Sequence, residues 1–186
     1  MTVSTAVQER DRAKVPERYK WNLADLYADD AAWREAKTRV AAEVPAIRQY
    51  RGRLGESAAT LAEALALVSR VDQAITRLYV YASMRSDEDT RVSETQGMQQ
   101  EMQQLYSEFG AEASFIEPEI LGLGQARLEQ FLAAEPRLAD HAFHLRDALR
   151  RAPHTLSDAE EKILADAGPL AGSPSNIFGV LANADF

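Results

Sequence analysis

The apolar residues between positions 33 and 47 repeat at steps of three and four, which places them on one face of a helix. Asp29 and Asp30 precede the repeat and offer an N-cap. Pro45 lies inside the repeat and predicts a kink or a break, because it cannot donate a backbone hydrogen bond and clashes with the preceding turn. The members of the repeat are Trp33, Ala36, Val40, Val44 and Ile47.

Two longer apolar stripes follow. The first predicts a helix capped by Ser57 that runs over 58–86, roughly 44 Å at about 1.5 Å per residue. The second predicts a helix over 91–114 with Asp89 or Thr90 as its cap. The first stripe comprises Leu61, Leu65, Val68, Val71, Ile75, Leu78 and Ala82. The second comprises Met98, Met102, Leu105, Phe109 and Ala113.

The pattern becomes shorter after residue 114. The segment "EPEILGLG" (117–124) carries a proline and two glycines and predicts a break. Helical patterns follow over 125–134 and 138–151, and Pro136 separates them.

Two further helices are predicted near the end of the chain. Ser157 and Glu160 form a capping box, and Ser173 or Ser175 would cap the last helix. No run of Val, Ile and Thr alternates with a period of two. The sequence therefore predicts an all-α fold, an antiparallel long-helix bundle followed by shorter helices, since the links between the long helices are short.

The first part of the chain has a different character. Residues 1–20 are polar and without a period, and Trp21, Leu23, Leu26 and Tyr27 follow them. We therefore divide the chain into a polar N-terminal arm with an aromatic segment (1–28) and a helical domain (29–186). The N-terminus lacks the apolar core of a signal peptide, and no window is long and apolar enough to span a membrane. A cytoplasmic protein without a membrane partner is expected.

Composition narrows the possible partners and chemistries. The 186 residues include 21 basic and 29 acidic side chains, a formal net charge of −8. Such a charge, without clustered Lys and Arg, argues against a nucleic-acid partner. Cysteine is absent, which excludes disulfides, thiolate metal sites and cysteine nucleophiles.

The three histidines lie within fifteen residues, in "DHAFHLRDALRRAPH" (140–154). His141 and His144 are spaced to lie on one side of a helix, as some metal ligands are. However, the zinc-protease motif His-Glu-x-x-His needs a Glu after the first His, and Ala142 and Thr155 follow His141 and His154 instead. Support of a helix and a turn is the favoured interpretation, and a metal site on the three histidines is the alternative.

No other segment carries a recognisable chemistry. The acidic "SDEDTRVSETQGM" (86–98) contains a start like that of a calcium loop at Asp87. Counted from Asp87, however, Arg91, Val92 and Met98 stand at positions five, six and twelve, where such a loop needs other residues. The chain also lacks G-x-S-x-G, a P-loop and G-x-G-x-x-G. We assign no catalytic, cofactor-binding or metal residue to this chain.

Five stretches together resemble the oligoendopeptidase F family, and they occur in the same order. They are "VPERYKWNLADLYADDAAW" (15–33), "YVYASMRSDEDTRVSETQ" (79–96), "SFIEPEIL" (114–121), "PHTLSDAEEKILADAG" (153–168) and "SPSNIFGVLANADF" (173–186). The resemblance covers the chain from Val15 onward.

The resemblance implies a zinc metallopeptidase, related to thimet oligopeptidase, that cleaves short peptides inside a helical, channel-containing body. The family's zinc site uses a His-Glu-x-x-His helix and a later glutamate, and this sequence contains no such motif. No catalytic residue therefore carries over. The chain is expected to be the N-terminal, non-catalytic portion of a longer peptidase, inactive alone, and to help wall the substrate channel.

The same resemblance sets the expected partners. They are the catalytic domain of the longer peptidase, which we call the parent, and an oligopeptide substrate held by the parent. Zinc is expected to be bound by the parent and not by this chain. A homo-oligomer through the surface that meets that domain is a further possibility. The alternative function is a free-standing helical protein-interaction module, because long amphipathic helices can bind a partner helix.

Overall fold

The computed structural model describes residues 14–89 and 92–154, together with residues 167, 173–175 and 177–178. Within these ranges every regular element is helical, which confirms the all-α prediction, with long helices first and shorter ones after them. The α-helices are α1 (Asp30–Glu43), α2 (Ala58–Glu88), α3 (Ser93–Ala113), α4 (Ile116–Ala134) and α5 (Ala142–Arg151). Shorter 3-10 helices span Glu17–Tyr19, Leu23–Asp25, Val44–Tyr50, Pro136–His141 and Ala152–His154. No helix among these residues combines the length and the apolar character that a membrane span needs.

The start and the end of α1 follow local rules. The Asp29 carboxylate accepts a hydrogen bond from the backbone N–H of Ala32 at 2.8 Å, so the predicted cap is confirmed. The helix ends at Glu43, and the 3-10 helix Val44–Tyr50 takes over at the predicted break around Pro45. This change of helix type keeps Val44 and Ile47 on the buried side.

The centre of the fold is α2, which packs against both α1 and α3. Ser57 caps it by accepting from the N–H of Thr60 at 3.0 Å, as predicted. Every member of its predicted stripe is buried except Val68, which is partly buried and packs against the same core. The buried residues of α1 and α3 complete that core.

Cross-links show the direction of neighbouring helices. Asp30, at the start of α1, contacts Arg85 near the end of α2, whereas Glu43, at the end of α1, contacts Arg70. Gln99 near the start of α3 donates to the Ser83 hydroxyl late in α2 at 3.2 Å, and Tyr106 lies 3.1 Å from the Thr76 hydroxyl. In both pairs of helices, the residue numbers of the contacts increase along one helix while they decrease along the other. Helix α2 is therefore antiparallel to α1 and to α3.

Two predicted boundaries are wrong. Helix α3 begins at Ser93 with Val92 in the cap position, later than a cap at Asp89 would place it, and Val92 supplies no side-chain cap. Thr90 lies outside the described residues. The helix predicted over 138–151 is divided into the 3-10 helix Pro136–His141 and α5, because Pro136 opens the tighter turn.

The segment predicted to break the chain at 117–124 is largely helical instead. Pro118 lies in the first turn of α4, where a helix does not require its N–H as a donor. The predicted break is confirmed at Gly124, whose φ of 70° lies in the left-handed region that glycine tolerates, and the helix predicted over 125–134 follows it. The predicted capping box at Ser157 and Glu160 lies outside the described residues.

Glu119 connects the first turn of α4 to the loop before α2. Its carboxylate accepts hydrogen bonds from the backbone N–H groups of Gly52 and Leu54, the latter at 3.2 Å. Gly52 has a φ of 76°, and Leu54 is fully buried. A single side chain thus holds a tight turn against the end of the bundle.

Replacing Glu119 by alanine is expected to lower the free energy of unfolding by about 1–2 kcal/mol, because two backbone donors lose a charged acceptor. Chemical denaturation followed by circular dichroism measures this loss. Glu117→Ala is the matched control, since Glu117 lies in the same turn and only approaches Arg151 at 4.0 Å. Equal losses in the two variants would contradict the role given to Glu119.

Candidate functional site

Four polar side chains meet where α1 begins and α2 ends, and we call them the Asp30 cluster: Asp30, Tyr81, Arg85 and Glu88. The Tyr81 hydroxyl donates to the Asp30 carboxylate at 2.7 Å. Arg85 donates to both Asp30 oxygens at 3.1 Å and to Glu88 at 2.7 Å. One carboxylate thus receives three hydrogen bonds, two of them from a guanidinium in the bidentate geometry that favours a charge-assisted pair.

Local structure explains how these residues converge. Tyr81, Arg85 and Glu88 are separated by four and three residues, so they share one face of α2. Asp30 is the first residue of α1, where a carboxylate also suits the helix dipole. The cluster lines a cavity of about 280 Å³, together with Leu23, Ala24, Tyr27, Ala28 and Asp29.

The aromatic segment before α1 closes one side of this cavity. The Tyr27 ring meets the Tyr81 ring edge to face, with centroids 5.5 Å apart. The Arg77 guanidinium lies 5.5 Å from the Tyr27 ring and donates to the carbonyl of Leu26 at 2.8 Å. The segment 23–27 is thereby held against α2.

Electrostatics fix the protonation state of the cluster. The hydrogen bond from Arg85 lowers the pKa of Asp30 below its ordinary value. Burial, followed by the hydrogen bond to Asp30, raises the pKa of Tyr81 to about 12. A general acid or base works best with a pKa near the operating pH. With these pKa shifts, Asp30 stays ionised and Tyr81 stays protonated at neutral pH. The cluster therefore holds the start of α1 against the end of α2.

The two histidines whose side chains the structure describes lie on different elements. His141 is half-buried at the end of the 3-10 helix Pro136–His141, and His144 is exposed on α5. The side chain of His154 lies outside the described residues. Across the part of the chain that the structure describes, no three side chains among His, Cys, Asp and Glu come together as metal ligands. His141 and His144 alone supply fewer ligands than the three that a catalytic zinc site needs from the protein.

A second cavity, of about 500 Å³, opens between α4 and α5. It is lined by Gln125, Glu129, Arg146, Leu149 and Arg150. Arg146 donates twice to Glu129, at 2.8 and 2.7 Å, and bridges the two helices. Of the residues that line this α4–α5 groove, Leu149 is apolar and the other four are polar.

Comparisons with known proteins give the family. The family model described as oligopeptidase F matches residues 119–186. Oligopeptidase PepF of Bacillus subtilis is 37% identical over 180 residues, which are 97% of this chain and 27% of that protein. The plasmid oligoendopeptidase F of Lactococcus lactis subsp. cremoris is 33% identical over 177 residues, 95% of this chain and 30% of its own length.

A solved structure agrees with these sequences. The crystal structure of oligoendopeptidase-F from Enterococcus faecium superposes with a TM-score of 0.71 at 29% identity, over 85% of this chain and 31% of that one. This chain belongs to the oligoendopeptidase F family. It spans less than a third of the length of these relatives and corresponds to their N-terminal portion.

Within this oligoendopeptidase F chain, the sequence identified only part of the Asp30 cluster. Asp30 was expected as a cap residue, and Tyr81, Arg85 and Glu88 lie inside a family-like stretch without an assigned role. Their spacing on one helix face is visible in the sequence. Their partner is not, because Asp30 lies 51 residues from Tyr81 and 55 from Arg85.

Proposed function

We propose that this chain is the N-terminal, non-catalytic portion of a zinc-dependent endopeptidase that hydrolyses oligopeptides. One observation carries the proposal: the 37% identity covers 97% of this chain but only 27% of the B. subtilis oligopeptidase. The 186 residues contain no His-Glu-x-x-His motif. The peptidase chemistry is therefore assigned to the part of the relatives that this chain does not match.

Zinc, as the proposed metal of the parent, would polarise the scissile carbonyl and activate water when bound. The described residues of this chain offer no set of ligands for it. We propose that this chain contributes to the shape of the substrate channel. Its continuous core of packed helices supports a rigid wall beside a substrate channel and would exclude large folded proteins.

An isolated sample of this chain is expected to leave a quenched-fluorescence oligopeptide uncleaved, with or without added zinc. The reason is that neither a metal site nor an acid–base pair tuned to neutral pH has been assigned to it. The B. subtilis oligopeptidase serves as the positive control in the same assay. Peptide cleavage that follows this chain through purification and is lost with a chelator would overturn the non-catalytic assignment.

The alternative function, a free-standing helical interaction module, is favoured by one observation, the exposed Phe143 on α5. The two functions differ in what covers that residue. An interaction module would bind a separate protein there, whereas the proposed function places the rest of the same polypeptide nearby.

A further inference from the structure

Phe143 is the most exposed large apolar side chain in the described part of the molecule, at 84%. It lies in the first turn of α5, two residues before Leu145, which is fully buried. Because successive helix positions differ by about 100°, a residue two positions from the buried stripe faces away from the core. Nothing among the described residues covers the Phe143 ring.

The surface around Phe143 continues into the α4–α5 groove. Arg146 and Arg150 follow Phe143 by three and seven residues, so the three lie on one side of α5. Arg146 is paired with Glu129, and Arg150 donates to Asp147 at 2.7 Å. Covering this surface would therefore bury charges that already have partners. Aromatic and arginine side chains are the types enriched at the centre of protein interfaces.

Other strongly exposed apolar residues lie in the same part of the sequence. Ile177 is 68% exposed and Phe178 is 71% exposed. Both belong, with Phe143 and the groove, to residues 119–186, the unit that the family model matches. In the N-terminal half the comparable side chain is Tyr19, and the Arg18 guanidinium lies 4.7 Å from its ring.

We propose that the face of α5 formed by Phe143, Arg146 and Arg150 is the surface that docks the remainder of an oligoendopeptidase F chain. That partner would offer an apolar pocket to Phe143 and polar groups to the polar residues that line the groove. The length of chain outside this structure supports the choice, since this chain covers only 27% and 31% of two relatives. The inference rests on the proposed function and adds the surface through which the portions meet.

Because this chain contains no cysteine, a single introduced cysteine can report on the exposure of this surface in a labelling experiment. Phe143→Cys is prepared in the isolated chain and in a hybrid in which this chain replaces the aligned residues of the B. subtilis oligopeptidase. A maleimide reagent modifies the cysteine, and mass spectrometry reads the modified position. Arg39→Cys is the matched control, because the Arg39 side chain is also largely exposed, on α1 away from α5.

Labelling at position 143 is expected to slow by about tenfold or more in the hybrid, because a covered thiol reacts only through local opening. Labelling at position 39 is expected to stay within about twofold. Equal rates at position 143 in the two proteins, in a hybrid that cleaves peptide, would overturn the proposal. Labelling of the isolated chain that slows as its concentration rises would assign the face to a second copy and overturn it as well.

Peptide cleavage by the hybrid separates this inference from the proposed function. An inactive hybrid counts against the proposed function, and the labelling is then repeated in a hybrid with the E. faecium oligoendopeptidase-F. Protection of position 143 in that second hybrid supports the docking surface, and its absence overturns it.

Discussion

Replacing Trp33 by alanine is expected to lower the free energy of unfolding by about 3–5 kcal/mol, the range for large aromatic side chains in a core. Trp33 is fully buried between α1 and α2. Its indole N–H donates to the carbonyl of Leu78 at 2.9 Å, across 45 residues of sequence. The variant loses apolar burial, leaves a cavity and removes a cross-link between two helices. Urea denaturation followed by circular dichroism measures the loss.

Two substitutions control this experiment. Trp33→Phe keeps an aromatic ring and removes the indole donor, so we expect an intermediate loss, about 1–3 kcal/mol. Trp21→Phe changes the other tryptophan, which is 53% exposed. Its free energy of unfolding is expected to stay within about 0.5 kcal/mol of that of the unsubstituted chain. A loss below about 1 kcal/mol in Trp33→Ala would contradict the packing of α1 on α2 that the structure shows.

The position of Trp33 in the core was predictable because the information is local. A period of three and four residues places Trp33, Ala36 and Val44 on one face, whatever the rest of the chain does. The same holds for the stripe of α2 and for the caps at Asp29 and Ser57, each of which depends on a few neighbouring residues. These predictions are confirmed.

The wrong boundaries arose where two local signals competed. Pro118, Gly122 and Gly124 all suggest a break, and the helix is interrupted at Gly124, but proline is tolerated in a first helical turn and the residues before Gly124 are helical. Glu119 also stabilises that turn by accepting from the loop before α2, a contact 67 residues away that no local rule contains. Similarly, Asp89 is a good cap by residue type, but the helix begins behind Val92.

The Asp30 cluster could not be predicted for a related reason. Its α2 members share a face, but the sequence alone does not show which residue of α1 they meet. That pairing depends on the offset between two helices, which the packing of Trp33 against Leu78 sets. The absence of a catalytic residue in this chain stays a prediction, and the peptide assay tests it.

Arg85→Ala is expected to lower the free energy of unfolding by about 2 kcal/mol, because Asp30 loses its bidentate cation and Glu88 loses the Arg85 donor. The Asp30 and Glu88 side chains are only 25% and 6% exposed, so water would compensate them incompletely. Arg146→Ala is the matched control. Arg146 also forms a bidentate pair, with Glu129, but both partners are exposed and screened by water, so the loss should be clearly smaller than that of Arg85→Ala.

The Asp30 pair also predicts how stability depends on pH. The pKa of Asp30 is lowered in the folded chain, so the ionised carboxylate stabilises the fold above its unfolded pKa. This contribution is lost as the pH falls through the lowered folded pKa. The free energy of unfolding of the unsubstituted chain should therefore fall from pH about 7 to pH about 3, and Asp30→Asn should reduce that fall.

Combining the two substitutions tests whether Asp30 and Arg85 act as a pair. If they do, Asp30→Asn and Arg85→Ala together should cost less than the sum of the single losses, by about 1 kcal/mol or more at neutral pH. This difference should shrink as the pH falls through the lowered folded pKa of Asp30, because protonation of Asp30 removes the charge that Arg85 neutralises. Additive losses at neutral pH would mean that Arg85 contributes through its packing on α2 and its contact with Glu88 alone.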